Sequence, residues 1–256
     1  MTTSTTTHVP ATDVTDVTDA AVAAAIGQQP VTPELVRTAR TTGLLYLGLA
    51  VTGMLSFLMI RNQVFVADDP AQTLANLVEQ PWLARAGIAV ELGVVLTQAL
   101  VAVWFYRLFR SVSSVAAGAI AAFGLVNAVA ILGSAALLAA ALDVGADPAL
   151  AAAGGAAATT QLLYVISGHL WAAGGLFFGL WLIPMGWLAW RSGWMPSLLG
   201  RVLMVGGVGY VASSFAGYLI PDAGVVSDLL TAPATVGELW MVGYLCLLGV
   251  RRHGAR

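Results

Sequence analysis

The sequence predicts an all-α protein: a polytopic transmembrane helical bundle with six spans. Of its 256 residues, 59% are hydrophobic and 9% are charged, whereas about 25% are charged in an ordinary soluble domain. The mean hydropathy is +0.85. A bilayer core about 30 Å thick is crossed by roughly 20 apolar residues in a helix, and several apolar runs reach that length. Lipid is therefore the expected solvent for most of this chain.

The chain divides into a polar tail and one membrane domain. Residues 1–30 are rich in Thr and Asp and lack a core-forming pattern, so we expect a disordered cytoplasmic tail. Thr32, Pro33 and Glu34 together have the composition of a helix start. Residues 31–252 are expected to form a single six-helix transmembrane domain. Its predicted spans are 41–60, 82–106, 113–142, 160–190, 200–220 and 232–250.

Two loops repeat one helix-starting pattern. Asp69 followed by Pro70 predicts a short surface helix between the first two spans. Asp147 and Pro148 repeat the pattern between the third and fourth spans. The glycine pair at 154–155 and the shortness of that segment argue against a seventh span.

The arginines predict the orientation, because positive residues accumulate on the cytoplasmic side of membrane proteins. With the amino terminus inside, nine arginines face the cytoplasm and only Arg61 and Arg85 face outward. The nine are Arg37, Arg40, Arg107, Arg110, Arg191, Arg201, Arg251, Arg252 and Arg256. We therefore expect both termini in the cytoplasm. An Ala-, Gly- and Arg-rich chain without lysine is typical of a GC-rich bacterial genome, which predicts the bacterial cytoplasmic membrane as the location.

Composition excludes several chemistries. Without a lysine, the chain cannot form the Schiff base of a retinal pigment or a pyridoxal enzyme. The single cysteine, Cys246, cannot form an internal disulfide or a CxxC metal site. His8 and His253 lie near the chain ends, so we expect no metal and no cofactor. A net charge of −2 offers no basic surface to a nucleic acid. The expected partners are the lipid bilayer and a small-molecule or lipid ligand.

Small residues predict which helices pack closely, because helices in lipid associate through close backbone contact. At about 100° per residue, a stripe of small residues follows the fourth span and a similar one follows the fifth. We therefore expect these two helices to be close antiparallel neighbours, although glycine is also common in membrane helices generally. The stripes contain Gly168, Ala172, Gly175 and Gly179, then Gly206 and Gly217.

Three ionisable residues lie well inside the predicted spans: Glu91, His169 and Glu238. A charged group in hydrocarbon costs about 2.5–3.5 kcal/mol on insertion scales, so such groups are usually paired or functional. With a rise of about 1.5 Å per residue, Glu91 and His169 lie roughly 13 Å below the outer surface and Glu238 about 9 Å below it. Asn127 and Ser213 also fall in the outer halves of their spans.

These positions predict a polar pocket in the outer half of the bilayer. Its candidate residues are Glu91, His169, Glu238, Asn127, Ser213 and Gln98, with Gln98 nearer the inner half. His169 is expected at the edge of the glycine stripe, facing the bundle interior, where it would meet both acids. Arg85, six residues before Glu91, is poorly placed to pair with it along one helix.

Three functions fit this pattern. The pocket would bind a small molecule or lipid, or move a proton-linked solute, without being an enzyme. Alternatively, His169 would act as a base in an intramembrane hydrolase or transferase, next to Ser213 or Ser214. In a third interpretation, the chain is a structural or accessory subunit whose polar groups only pin helices. No internal repeat is evident, and many transporter folds are built from such repeats.

Several segments resemble an integral membrane family of bacteria known as domain of unknown function 4386. They are "TGLLYLGLAVTGMLSF", "GHLWAAGGLFFGLWLIPMGWLAWRSGWMPSLLGRVLMVGGVGYVASSF" and "GELW". The turn "RSGWMPSLLG" is the most specific part, and the resemblance covers most of residues 40–250. It implies a small polytopic membrane protein and carries no established activity.

Overall fold

The computed structural model describes residues 31–56 and 61–252, and within them it contains helices and no strand. This confirms the all-α class. The predicted tail, residues 1–30, lies outside the described residues. The helices are α1 Pro33–Met54, α2 Arg61–Val64, α3 Pro70–Glu79, α4 Pro81–Phe109, α5 Ser114–Ala146, a 3-10 turn Pro148–Leu150, α6 Gly155–Ser192, α7 Ser197–Leu219 and α8 Gly224–Leu247.

Helix starts follow the capping residues in the sequence. The Thr32 hydroxyl accepts a hydrogen bond from the Leu35 amide at 3.2 Å, and the Asp69 carboxylate accepts one from the Gln72 amide at 2.9 Å. Each cap satisfies an amide that has no partner within its own helix. The predicted starts at Thr32 and Asp69 are therefore confirmed, and α3 is the expected short helix.

In the described residues, six long helices form a closed ring. Each of α1, α4, α5, α6, α7 and α8 packs against the next, and α8 returns to pack against α1. The short helix α3 packs against α5 and α6 at one end of this ring. That end, which carries α2, α3 and the 3-10 turn, is called the short-helix end below.

The opposite end, called the terminal end, contains residues 31 and 252, where the described chain begins and ends. Arg107 at the end of α4 pairs with Glu34 at the start of α1 at 3.3 Å. The Arg251 amide donates to the carbonyl of Trp194, in the turn between α6 and α7, at 3.1 Å. Both described ends of the chain therefore share one face of the bundle with that turn.

Among the described residues, five helices are long and apolar enough to cross a membrane, namely α4, α5, α6, α7 and α8. The first helix is not one of them, because Glu34, Arg37 and Arg40 occupy its first two turns and residues 57–60 lie outside the described range. The structure thus shows a multi-pass architecture. A sixth span and the cytoplasmic termini stay predictions.

Two helices run through prolines and extend past the predicted spans. Helix α6 contains Pro184 and covers Gly155–Ser192. Helix α8 contains Pro233 and begins at Gly224, before the predicted start at 232. Neighbouring helices make such prolines tolerable in a bundle. Here, the backbone of Ala234, the next residue, lies directly against Gly206 of α7.

Helices α6 and α7 touch through facing glycines. A Cβ on Gly179 would lie 2.8 Å from the Gly207 carbonyl oxygen, and a Cβ on Gly186 would lie 2.5 Å from that of Gly200. Only a hydrogen atom fits in these gaps, so the two antiparallel backbones are in direct contact. Gly175 also faces α7, at an ordinary contact distance of 3.4 Å from the Tyr210 ring.

Four of the predicted packing residues lie elsewhere, which corrects the assignment of the whole stripe to this contact. Gly206 faces α8, Gly168 lies beside the Arg61 guanidinium, Ala172 is exposed, and Gly217 has no described neighbour within 4 Å of a Cβ position. A stripe on a helical projection shows which residues share a face. It does not show which neighbouring helix meets that face.

Candidate binding cavity

The ring of helices encloses a cavity of about 590 Å³ to which all six long helices contribute residues. Small-molecule sites are usually about 300–1,000 Å³, mostly apolar, with a few placed polar groups. The walls here include Leu49, Val94, Ile131 and Val242. The polar and aromatic side chains that line the cavity are Tyr46, Gln98, Asn127, Trp171, Phe178, Tyr210, Thr235 and Glu238.

Glu238 is fixed in the cavity wall by Tyr46. The Tyr46 hydroxyl donates a short hydrogen bond to Glu238 Oε1. The Tyr46 ring is itself held edge-on against Phe105 and Trp181, with ring centroids 5.4 and 5.6 Å away. Since Tyr46 is 2% exposed, its position is set by the core, and the carboxylate position follows from it.

Gln98 brings an unsatisfied amide to the cavity. Its side chain is fully buried, and neither amide atom has a hydrogen-bond partner within the part of the chain that the structure describes. A buried polar group without a partner costs about 1–3 kcal/mol. Asn127, 5% exposed, adds a second amide to the wall. The cavity therefore offers donors and acceptors that an occupant can satisfy.

The cavity opens sideways between α1 and α8. The exposed residues in its lining are Met54 on α1 and Thr235 and Leu239 on α8. Near the terminal end these helices are in tight contact, since a Cβ on Gly43 would lie 2.7 Å from the Leu245 Cβ. A Cβ on Gly53, nearly three turns further along α1, meets no described atom within 4 Å. The cavity opening therefore lies on the short-helix side of this tight contact.

Glu91 belongs to a separate buried cluster. It is 2% exposed and does not line the cavity. The Ser134 hydroxyl donates to its Oε2 at 2.9 Å, and the Trp171 indole donates to its Oε1 at 3.2 Å. The guanidinium of Arg61 lies 4.0 Å from the same Oε1. Trp171 is thus the side chain shared by the Glu91 cluster and the cavity.

Arg61 connects the cluster to α6. Its guanidinium donates to the Ser167 hydroxyl at 3.0 Å and to the Tyr164 carbonyl at 2.7 Å, and it lies over the Tyr164 and Phe65 rings. The hydroxyls of Ser134 and Ser167 are 2.7 Å apart. Helices α2, α4, α5 and α6 are therefore joined by a continuous network of polar contacts.

His169 does not reach either acid, which corrects the expectation that it faces the bundle interior. Its side chain is exposed on α6, and its Nδ1 lies 3.3 Å from the Tyr218 hydroxyl of α7. The inward positions of α6 nearby are Ser167 and Trp171. His169 is two residues from each, about 200° around the helix, and so faces away from the bundle.

Ser213 and Ser214 bond to their own helix. Both hydroxyls donate to the Tyr210 carbonyl, at 2.8 and 3.0 Å. Neither contacts His169, so the described residues do not assemble the histidine and serine that the hydrolase hypothesis requires. Within the same residues there is also no group of three or more His, Cys, Asp or Glu side chains that could hold a metal ion.

Sequence reasoning missed several residues that shape these sites. Arg85 is exposed and is not the partner of Glu91. The cation near the Glu91 carboxylate is Arg61. The available signal was that Arg61 directly follows the first predicted span, on the same side as Glu91. Tyr46 and Trp171 carried a weaker signal, since aromatic residues with a polar hydrogen usually find a partner when buried.

Comparison with known proteins identifies the family but no characterised relative. The model of a family described as a domain of unknown function, DUF4386, matches residues 41–249. Because this match covers most of the chain, the chain belongs to that family. No curated protein and no solved structure shows a significant match.

Proposed function

We propose that this member of the DUF4386 family is a membrane-embedded binding protein for a small amphipathic molecule that enters from the lipid phase. The observation that carries the proposal is the cavity between the six long helices, with its lateral opening between α1 and α8. Its apolar walls suit a hydrocarbon portion, and its amides and carboxylate suit a polar one. Proton-linked transport of the same molecule would begin with this binding step.

The unsatisfied amide of Gln98, next to the cavity, is a second argument for an occupant. Folded proteins leave few buried polar atoms without partners, and those that remain are often completed by a ligand or water. Gln98 lies inside the cavity wall with both amide atoms free in the described residues. Once the Gln98 side chain turns toward the cavity, a ligand that both donates and accepts hydrogen bonds would compensate the cost of its burial.

The proposed membrane arrangement has six spans, with both termini in the cytoplasm of a bacterial cell. It is supported by the arginine distribution and by the shared position of both described chain ends at the terminal end. In this orientation the short-helix end faces outward. The lateral opening, which lies on the short-helix side of the tight contact between α1 and α8, would then face the outer leaflet.

The Glu91 cluster has a structural role in this proposal. Its carboxylate, guanidinium and hydroxyls are already used in contacts among four helices. Glu91 therefore fits the interpretation in which polar groups only hold helices together. In this proposal, Glu238 belongs to the binding cavity.

Photolabelling tests the binding proposal. The probe is a neutral octanol that carries a diazirine, which inserts into nearby side chains on illumination. With the protein in lipid nanodiscs, peptide mass spectrometry should find adducts on cavity-lining residues such as Tyr46 and Glu238. Gly53→Phe should remove them, because it places a ring at the opening where the Cβ position is free of neighbours.

A matched variant controls for the substitution itself. A Cβ on Gly118 of α5 also meets no described atom within 4 Å, and Gly118 does not line the cavity. Gly118→Phe should leave the adducts on cavity residues unchanged. Adducts confined to outward-facing residues, or equal cavity labelling in Gly53→Phe, would overturn the proposal.

A further inference from the structure

We infer that the cavity binds an amphipathic organic cation, with Glu238 as its counter-charge. The inference rests on the proposed function and specifies the ligand that the cavity takes. Glu238 is the one carboxylate in the lining, and no arginine or histidine of the described chain lines the cavity with it. The sequence contains no lysine. The only charge that the described lining can carry is therefore negative.

Aromatic side chains line the same cavity as this carboxylate. Tyr46, Trp171, Phe178 and Tyr210 all line the cavity. The Phe178 and Tyr210 rings lie with their centroids 5.5 Å apart, and Tyr46 bonds directly to Glu238. The negative face of an aromatic ring attracts ammonium groups, and aromatic cages are a recurrent means of binding alkylated amines.

Charge complementarity distinguishes the ligand classes. A phosphate or carboxylate headgroup would place a second negative charge beside Glu238 without a cation to balance it, which is costly in a low-dielectric site. A neutral ligand would gain no ionic attraction from Glu238. Arg61 is not a substitute, since its guanidinium bonds Ser167 and Tyr164 in the Glu91 cluster. An organic cation balances the charge and also uses the aromatic walls.

Two ions of the same shape and opposite charge test the inference. Tetraphenylphosphonium and tetraphenylborate each carry four phenyl rings, so they differ chiefly in sign. Each competes with the diazirine octanol for the cavity residues in nanodiscs of zwitterionic lipid. Because the two ions partition differently into lipid, the competing concentrations are those measured in the bilayer.

The cation should protect the wild-type cavity at a concentration at least about tenfold below that of the anion, as expected for a desolvated charge pair. Glu238→Gln removes the charge and keeps the side-chain shape. It should lower the preference for the cation over the anion at least about tenfold, with the adduct on Tyr46 as the readout in both proteins. Glu79→Gln, the same substitution on exposed Glu79 of α3, should leave protection unchanged.

The outcomes separate this inference from the proposed function. If octanol labels the cavity but the two ions protect equally, or neither protects, the ligand is not a cation and the binding proposal stands. If the cavity is not labelled at all, both fail. The comparison of the two ions in the wild-type protein decides the question even if Glu238→Gln does not fold.

Discussion

At the scale of single residues, the molecule separates two acids that look alike in sequence, a buried one and a partly buried one. Glu91 accepts hydrogen bonds from Ser134 and Trp171 and lies near Arg61, whereas Glu238 is bonded by Tyr46 in the cavity wall. An acid surrounded by donors and a cation is a structural group. An acid with one neutral donor beside an open cavity is available to a ligand.

Gln98→Leu should stabilise the protein without ligand. The leucine removes two buried polar atoms that have no partner in the described residues and has a similar volume, so the expected gain in unfolding free energy is about 1–3 kcal/mol. The same change should weaken binding of a polar ligand. Thermal unfolding in detergent, with and without ligand, measures both effects. A lower melting temperature for the ligand-free variant would show that the amide is satisfied.

Arg61→Met should destabilise the protein by about 3 kcal/mol, because it leaves the buried Glu91 carboxylate without its nearby cation. The Arg61 side chain is 11% exposed and that of Glu91 2% exposed. Arg85→Met is the matched control, since Arg85 is exposed on α4, and it should change stability by less than about 0.5 kcal/mol. Equal effects in the two variants would contradict a pinning role for Arg61.

The site residues that could be predicted from the sequence are those that differ in polarity from their neighbours along the chain. Glu91, Glu238, Gln98 and Asn127 stand out because polar residues are rare in these apolar runs. Their partners did not stand out, because Tyr46 and Trp171 look like ordinary membrane aromatics. The predicted orientation of His169 was wrong. The glycines near it do not show which side of α6 faces the bundle, so they could not indicate where its side chain lies.

At the scale of helices, the seam between α6 and α7 depends on glycine at specific positions. A Cβ on Gly179 would approach both the Gly207 carbonyl and the Val211 amide to 2.8 Å. These are backbone atoms of α7, so the overlap cannot be relieved by rotating a side chain. The same spacing explains why this pair of helices could be predicted as close neighbours.

Gly179→Ala should therefore lower stability by about 1–3 kcal/mol, the usual cost of forcing atoms into a packed contact. Gly217→Ala, on α7, places its methyl group where no described atom lies within 4 Å. It should be neutral or slightly stabilising, since alanine favours helix over glycine. Comparison of the two melting temperatures tests this account. A neutral Gly179→Ala would show that the helices separate easily at this point.

The residues at which helices begin could be predicted from the sequence. The neighbour that each helix face contacts could not. Thr32 and Asp69 act through bonds to residues three positions away, so the sequence alone contains the whole interaction. Gly206 acts through Ala234 of α8, a contact set by the arrangement of the ring. The closure of α8 onto α1 is likewise a property of the assembled bundle.

At the scale of the whole molecule, the orientation can be checked with introduced cysteines. In a Cys246→Ser background, Ala152→Cys lies at the short-helix end and Ser111→Cys in the turn between α4 and α5. A membrane-impermeant maleimide added to intact bacteria should label Ala152→Cys and spare Ser111→Cys. The reverse pattern would contradict the proposed orientation.

The same assay tests the sixth span. A cysteine at Thr3 should be spared in intact cells if α1 crosses the membrane and places the amino terminus inside. Labelling at Thr3 together with protection at Ser111 would mean that only five helices cross. Both sites are expected on the same side because two of the proposed spans, α1 and α4, lie between them.

The central claim is that the cavity between the six long helices is a ligand site reached from the lipid. The most direct measurement is the residue-by-residue map of diazirine-octanol adducts in nanodiscs, for the wild-type protein and Gly53→Phe. The account predicts adducts on Tyr46 and Glu238 in the wild-type protein, lost in Gly53→Phe and retained in Gly118→Phe. Adducts only on outward-facing residues, unchanged among the three proteins, would contradict it.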